Sequence, residues 1–477
     1  MRKNMRITQI AVDKLFGAFN HIIPLNRETD ITIVIGENGL GKTVMLEATN
    51  AFFGKSYSFF RELEFDKFTF TFSTDECWEI TKHGGSKSSP LALHVERKFL
   101  NEEARQLAER EERPKKDSKS KSKPVKPPAY ARIPLTNLEK KESHQTLEEL
   151  SWAKRRAMEH FMFRGDLSRR DFEMMQWMFD DRYEVFLNRQ QSEADALPIW
   201  FANHKLDVRL IETQRIITAK ERGGESYVST VQKCADELIK LIATAEAAAS
   251  DIAVALDSTY PSRLVQSLRD KRPDNAIDLS ELNNRLQKLN SKRQLFASAG
   301  LIETTNTDDF GLQINDYPNS SQQSDLIYPL KLYVEDSDQK LAPYEDLAKR
   351  INLFMEIVNK RFKHKNLEVN RKQGFVFRSR FKRDEQGGYS SISPKKLSSG
   401  EQNELILFYE LIFKSNSGDM ILIDEPELSL HISWQNKFIK DLKDVTSMNN
   451  VSIIIATHSP DIIDENWDLK VELQGLE

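Results

Sequence analysis

The sequence predicts an α/β protein whose phosphate-binding core is split by a long, mostly helical insertion. Three observations carry this expectation. Ile31-Thr32-Ile33-Val34-Ile35 is a short apolar run that enters a glycine-rich turn and then a helix-patterned segment. Two more apolar runs, at 420–424 and 451–457, end in polar residues far along the chain, as parallel strands buried on both faces do. Between these parts the pattern turns charged and helical.

The elements follow in order. MRITQIAV and ITIVIG read as strands, and TVMLEATNAFFG as a helix with Val44, Leu46, Ala48, Ala51 and Phe52 at helical spacing. FDKFTFTF and CWEITKHGG alternate as a hairpin or meander, and LALHVERKF adds a strand. NEEARQLAEREE is helix-prone. Residues 113–128 carry six Lys, one Arg and one Asp with Ser and Pro, a stretch that cannot bury apolar area and reads as a solvated loop. Trp152, Phe161, Phe163, Phe172, Trp177, Phe179, Phe186 and Trp200 follow at helical spacings and read as helical core. DVRLIETQ returns to strand character. Two helices of about 20 to 30 residues flank STYPSRLVQSLRDKRPDNAID and suggest a short antiparallel arm over about 225–300. Residues 301–325 read as loop. A helix (YEDLAKRINLFMEIVNKRF) and a hairpin at 367–390 lead into a helix–strand–helix–strand unit from 397 onward. The expected organisation is a core half at 1–100, an insertion at 101–330 and a second core half at 331–477.

Lys plus Arg number 69 and Asp plus Glu 73, so a wholly basic coat is excluded, although a local basic patch is not. Cys77 and Cys234 are too few and too far apart for a disulfide framework, which suits a reducing cytoplasm. No apolar run reaches the ~18 residues a spanning helix needs, and the first residues lack an apolar signal segment.

Gly36-Glu37-Asn38-Gly39-Leu40-Gly41-Lys42-Thr43 matches the phosphate-loop pattern in its required strand-to-helix context. Glycines let backbone N–H groups wrap phosphates at a helix start. Lys42 is placed for the β- and γ-phosphates of ATP and Thr43 for Mg²⁺. Asp424 and Glu425 end an apolar strand, where a cation can pair with them. Asp424 suits the metal and Glu425 suits a general base for water. His458 ends the neighbouring apolar run, on the same expected edge, and suits contact with the γ-phosphate or the water. Leu397-Ser398-Ser399-Gly400-Glu401-Gln402 opens a helix as a second anion site, with Ser399 and Gly400 supplying hydroxyl and N–H groups. Two phosphate-binding helix starts about 360 residues apart suggest a head-to-tail homodimer, in which each chain completes the other's site.

Taken as a set, GENGLGKT, LSSGEQ, ILIDEPE, LSLH and ATHS resemble the Walker A, signature, Walker B, D-loop and H-loop motifs of ABC-type ATPases. The split by an insertion and arm resembles the SMC/RecF/OLD branch. VRLIETQRI, LDSTYPSRL and the C-terminal motif region are similar to the PtuA ATPases of Septu-type antiviral systems, relatives of which occur with some retrons. The signature departs from LSGGQ at Ser399 and Glu401. A Q-loop is hard to place: Gln106 sits in a charged helix, and Gln214, beside Arg215, is the remaining candidate. The resemblance implies an ATPase that regulates a separate HNH-type nuclease. No second metal cluster is evident, and the 19 residues after His458 leave no room for a Toprim nuclease, so the chain is not expected to cut DNA alone. DNA would be met mainly through the complex, with the 113–128 loop as one contact. The competing reading is a RecF- or SMC-like DNA repair clamp.

Overall fold

The computed structural model describes residues 5–85, 91–111, 129–135, 197–202, 204, 206–211, 229–269, 279–303, 320–428 and 430–475. The 113–128 loop, the aromatic positions from Trp152 to Phe186, Gln214 and Arg215 lie outside these. The chain forms two compact units, Met1–Ile211 with Asn416–Pro426 and Asn450–Glu477, and Glu212–Ser415 with Glu427–Asn449.

In the first unit, β1 (Ile7–Leu15), β2 (Phe19–Pro24), β4 (Lys67–Phe72), β5 (Glu76–His83), β6 (Ala92–Phe99) and β7 (Tyr130–Pro134) form an antiparallel sheet in the order β2-β1-β4-β5-β6-β7. In β4, Phe68, Phe70 and Phe72 alternate with threonines, and all three rings are buried, as the two-residue period of a one-sided strand requires. Phe70 lies opposite Trp78. Helix α1 (Lys42–Phe53), which follows β3 (Ile31–Ile35), lays Phe52 and Phe53 on this face, with ring centroids 5.3 and 4.9 Å from Phe70. Helix α2 (Glu102–Glu111) precedes β7, and α3 (Ile199–Ala202) precedes β8 (Val208–Ile211). Trp200 of α3 meets Trp78 at 5.2 Å, a packing role as expected, and its neighbour Phe201 is buried against Phe52. Each buried ring of this cluster stabilises the unit by roughly 1.5–3 kcal/mol.

The second unit opens with α4 (Thr230–Arg269), a single helix of 40 residues. The sequence reading ended this helix before Ser258-Thr259-Tyr260-Pro261, because proline removes an N–H and crowds the preceding turn. Here the helix runs through Pro261, and side chains occupy nearby carbonyls. Thr259 Oγ1 donates to the Ala255 carbonyl at 3.1 Å, and the Arg263 guanidinium to the Leu256 carbonyl at 2.8 Å. The antiparallel partner is also different. Arg263 pairs with Asp336 and Lys340 with Asp257, so α4 runs against α6 (Ser320–Leu341), whose first residues, 320–325, were expected to be loop. Helix α5 (Leu279–Ser298) also packs on α6, through buried Leu282 and Val334 and a Lys292–Asp338 pair. The arm is therefore three helices.

Helix α7 (Glu345–Arg361) leads to a small sheet of β9 (Lys365–Asn370), β10 (Gly374–Arg383) and β11 (Tyr389–Ile392), with β10 central. Helix α8 (Ser399–Phe413) is apolar almost all round from Leu405 onward and is correspondingly buried there. The expected helix at 432–445 is two pieces, α9 (Ile432–Gln435) and α10 (Phe438–Asn449), broken at Asn436–Lys437.

The chain then completes the first unit's parallel sheet with β12 (Met420–Asp424) and β13 (Ser452–Ala456), then α11 (Pro460–Ile463) and β14 (Lys470–Glu472). The order is β14-β3-β13-β12-β8, all parallel. Asp424 pairs with Ala456 and Ala456 with Val34, so β3, β12 and β13 end on one edge.

Candidate functional site

The glycine-rich loop leaves that edge from Ile35. Gly41 caps α1 in the left-handed region at φ 87°, and a Cβ there would lie 2.5 Å from Leu15 Cδ2. A side chain at Gly41 is thus excluded on two counts. Gly36 is also closely packed, with Leu40 Cδ1 and the Leu473 carbonyl each 3.1 Å from the site of a Cβ. Lys42 is buried, and its Nζ donates to the carbonyls of Gly36 (2.8 Å) and Glu37 (2.9 Å), so its charge sits inside the loop. Thr43 Oγ1 donates to Asp424 Oδ1 at 3.1 Å, joining residues 381 positions apart.

Beside Asp424, Glu425 holds φ 41°, a left-handed conformation uncommon for a residue with a side chain. Its N–H donates to the Ala456 carbonyl at 2.8 Å, which fixes the turn out of β12. His458 Nε2 is 3.4 Å from Glu425 Oε1, and both side chains are about one-third exposed. The structure therefore brings Lys42, Thr43, Asp424, Glu425 and His458 to one edge of one sheet. A hydroxyl and a carboxylate in direct contact form a hard-oxygen pair that suits Mg²⁺. The cradle of left-handed glycines at a helix start suits phosphate.

The second motif belongs to the other unit. Ser398, in extended conformation, caps α8: its side chain accepts from the Glu401 N–H at 3.3 Å, and Glu401 Oε2 accepts from the Ser398 N–H at 2.8 Å. This is the expected capping box. Ser399 is exposed, and a Cβ on Gly400 would meet nothing within 4 Å, so the helix start is open. In the stretch around His431, which caps α9 by accepting from the Ser433 N–H, Ser429 lies outside the described residues. Gln106 is exposed on α2.

Three supports were not visible in the sequence. His21, on the inward face of β2, bonds the Leu40 carbonyl through Nε2 at 2.8 Å and ties the phosphate loop to the antiparallel sheet; burial pushes its pKa down. The only sequence signal was its alternation with Ile23. Lys365 holds Glu401 at 2.6–2.7 Å. Burial pulls the Glu401 pKa up, but Lys365 and the Ser398 bonds outweigh it and leave the carboxyl below its ordinary value. Behind α8, Arg361 of α7 bridges Glu404 and Asp441 of α10, and all three are buried. Burial, only partly offset by Arg361, pushes the Glu404 carboxyl up to about 7.

A phosphate loop, a strand-end Asp-Glu pair and a strand-end histidine on one parallel sheet are the parts of an AAA-type ATPase site. The family described as AAA ATPase domain matches residues 5–463, and the chain belongs to it. Among curated proteins, the chain is 31% identical over 75 residues to the thiamine import ATP-binding protein ThiQ of Ruegeria sp. (strain TM1040), covering 16% of this chain and 31% of that one. It is 34% identical over 70 residues to protein ea59 of Escherichia phage lambda, covering 15% of this chain and 13% of that one. The chain thus spans less than a third of the length of either relative. Among solved structures, the Smc head domain of Pyrococcus furiosus with an extended coiled coil, bound to the C-terminal domain of ScpA, aligns over 96% of this chain and 91% of that one, at 12% identity and a TM-score of 0.28. An SmcHead bound to the C-winged helix domain of ScpA aligns over the same shares at 11% identity and a TM-score of 0.31.

Proposed function

We propose that the chain binds and hydrolyses ATP with Mg²⁺, as a homodimer with composite sites, and regulates a separate HNH-type nuclease in a cytoplasmic antiviral complex. The observation that carries the ATPase part is the Thr43–Asp424 contact with Glu425 and His458 beside it. Residues 36–43 hold the phosphates through backbone N–H groups and Lys42. Thr43 and Asp424 hold Mg²⁺, which when bound neutralises phosphate charge. Glu425 orients the attacking water and takes its proton, and His458, in contact with Glu425, steadies that group and the γ-phosphate. Ser399 and Gly400 of a second copy close the site. Leu428, the first residue of the D-loop-like stretch, and Ile432, just after it, are 71% and 65% exposed and support a surface that a second copy covers. The nuclease partner rests on the motif resemblance. Among the described residues no helix is long and apolar enough to cross a membrane.

The experiment has three parts. Lys42→Ala is expected to lose ATP binding, and Glu425→Gln to keep binding while hydrolysis stalls. A mixture of Lys42→Ala with Ser399→Arg, each inactive alone, is expected to regain about one working site per mixed dimer. Plasmid cleavage is expected only from the chain together with its partner, and to change with ATP. Wild-type ATP affinity in Lys42→Ala refutes the loop assignment. Failure of the folded variants to complement refutes the dimer. A pair that ignores ATP refutes regulation and favours the repair clamp.

A further inference from the structure

We propose that the β10–β11 ribbon is a duplex-DNA-binding element that enters the major groove. The chain as a whole is slightly acidic, yet residues 360–396 carry twelve Lys and Arg. Lys360, Arg361, Lys365, Arg371 and Arg378 are each held by a carboxylate, so the field rests on exposed Lys363, Lys372, Arg380, Lys382, Arg383 and Lys396, against three acidic residues in the same stretch. Two of those three are engaged locally. Glu368 pairs with Arg378 at 2.8 Å, and Asp384 accepts from the turn N–H groups of Gln386 and Gly388 at 3.1 and 2.8 Å. The first part of β10 is buried, but from Arg380 onward every residue to Tyr389 is exposed, so the ribbon runs out of the packed sheet into solvent. Phe381, 72% exposed, sits between Arg380 and Lys382. At the base of the ribbon the Arg380 N–H donates to the His364 carbonyl at 3.1 Å, which brings exposed Lys363 beside it. Exposed Lys396 follows in the short turn after β11.

A solvated charge run has no use for a phenylalanine at its centre that leans on His364 at 5.4 Å yet leaves most of its ring in water, and an acidic protein partner would not need so dense a field. A polyanion satisfies both features. The shape selects among polyanions. A two-stranded ribbon fits the ~12 Å major groove of B-form DNA, where an apolar side chain can meet thymine methyl groups. The deep, narrow major groove of A-form RNA rejects it. Single-strand sites are concave and lined with several stacking rings, whereas residues 380–389 are all exposed and carry two rings, Phe381 and Tyr389.

The test uses the full chain without nucleotide and a short fluorescent duplex, read by anisotropy across salt concentrations. Wild type is expected to bind with a steep salt dependence. Lys363→Ala/Lys382→Ala/Lys396→Ala is expected to bind at least about tenfold more weakly near 50 mM salt, with a log–log salt slope smaller by about 2.7. Phe381→Ser is expected to weaken binding while leaving the slope unchanged, because it removes no charge. ATP binding measured on the same proteins checks their fold, and its loss in wild type would fall on the ATPase reading alone. Absence of duplex binding by wild type, an unchanged affinity in the triple variant, or equal affinity for duplex RNA of the same sequence overturns the proposal.

Discussion

Glu404→Gln is expected to flatten the pH dependence of α8's stability. In the folded chain Glu404 is fully buried, and its carboxyl titrates near 7 against an ordinary 4.5. Between those values the folded state keeps a proton that the unfolded state has lost. Stability therefore falls as pH rises from 4.5 to about 7, by at most about 1.4 kcal/mol per unit for this group. From pH 5 to pH 7 the group's contribution falls by about 2 kcal/mol, because the slope flattens near both pKa values. Glutamine carries no such proton, so other titrating groups cancel when variant and wild type are compared at each pH. Because the chain has two units, the quantity to follow is local opening: hydrogen exchange of peptides from Ser399–Phe413, corrected for intrinsic rates. The opening free energy of Glu404→Gln relative to wild type should rise by about 2 kcal/mol over that range. A difference that stays constant between pH 5 and pH 7, or moves the other way, refutes the reasoning.

His21→Ala strips the buried Leu40 carbonyl of its donor, and thermal shift should show a loss on the order of 1–3 kcal/mol. In wild type the His21 contribution should be present above pH 6.5 and fade as pH falls below it, because burial keeps the folded imidazole neutral while the unfolded one takes a proton; His21→Ala should lack that fade. Gly41→Ala should lower the melting temperature more than Gly39→Ala. Both positions are left-handed, at a strain of about 1–2 kcal/mol, but only at Gly41 does the new Cβ strike Leu15. Pro261→Ala should slow exchange across the middle of α4 by up to about 3 kcal/mol, since it restores a helical N–H where the helix is already continuous.

The elements legible in the sequence were those governed by local rules. ITIVI, MILID and SIIIA are apolar runs that only a buried parallel sheet satisfies, and the loop glycines mark backbone that other residues cannot adopt. Together they placed Lys42, Thr43, Asp424, Glu425 and His458 on one edge. The elements that escaped depend on distant partners. Pro261 breaks a helix in isolation, but Thr259 and Arg263 supply bonds to carbonyls around it, and Asp336 on another helix holds Arg263. Ser320-Ser321-Gln322-Gln323 reads as loop until α4 and α5 give the rest of α6 something to pack on. Arg361, Glu404 and Asp441 look like ordinary surface charges, because nothing in their spacing shows that they meet.

The pairing of β3 with β13 and β14 has a consequence for how the protein is made. Ile31–Ile35 leaves the ribosome long before Ser452–Ala456 exists, with some 420 residues still to be translated. At ordinary elongation rates of about 5–20 residues per second, that is a wait of about 20 to 80 s. Throughout it the β-branched run has neither of its two flanking partners, β13 and β14, and the loop after it has no second wall. The antiparallel sheet can assemble early from neighbouring strands, whereas the ATP-binding sheet must close late over long chain separations, which slows folding. A truncated or stalled product would therefore carry an assembled antiparallel sheet beside an open, adhesive strand. A chaperone that holds the nascent N-terminal third would act at that strand.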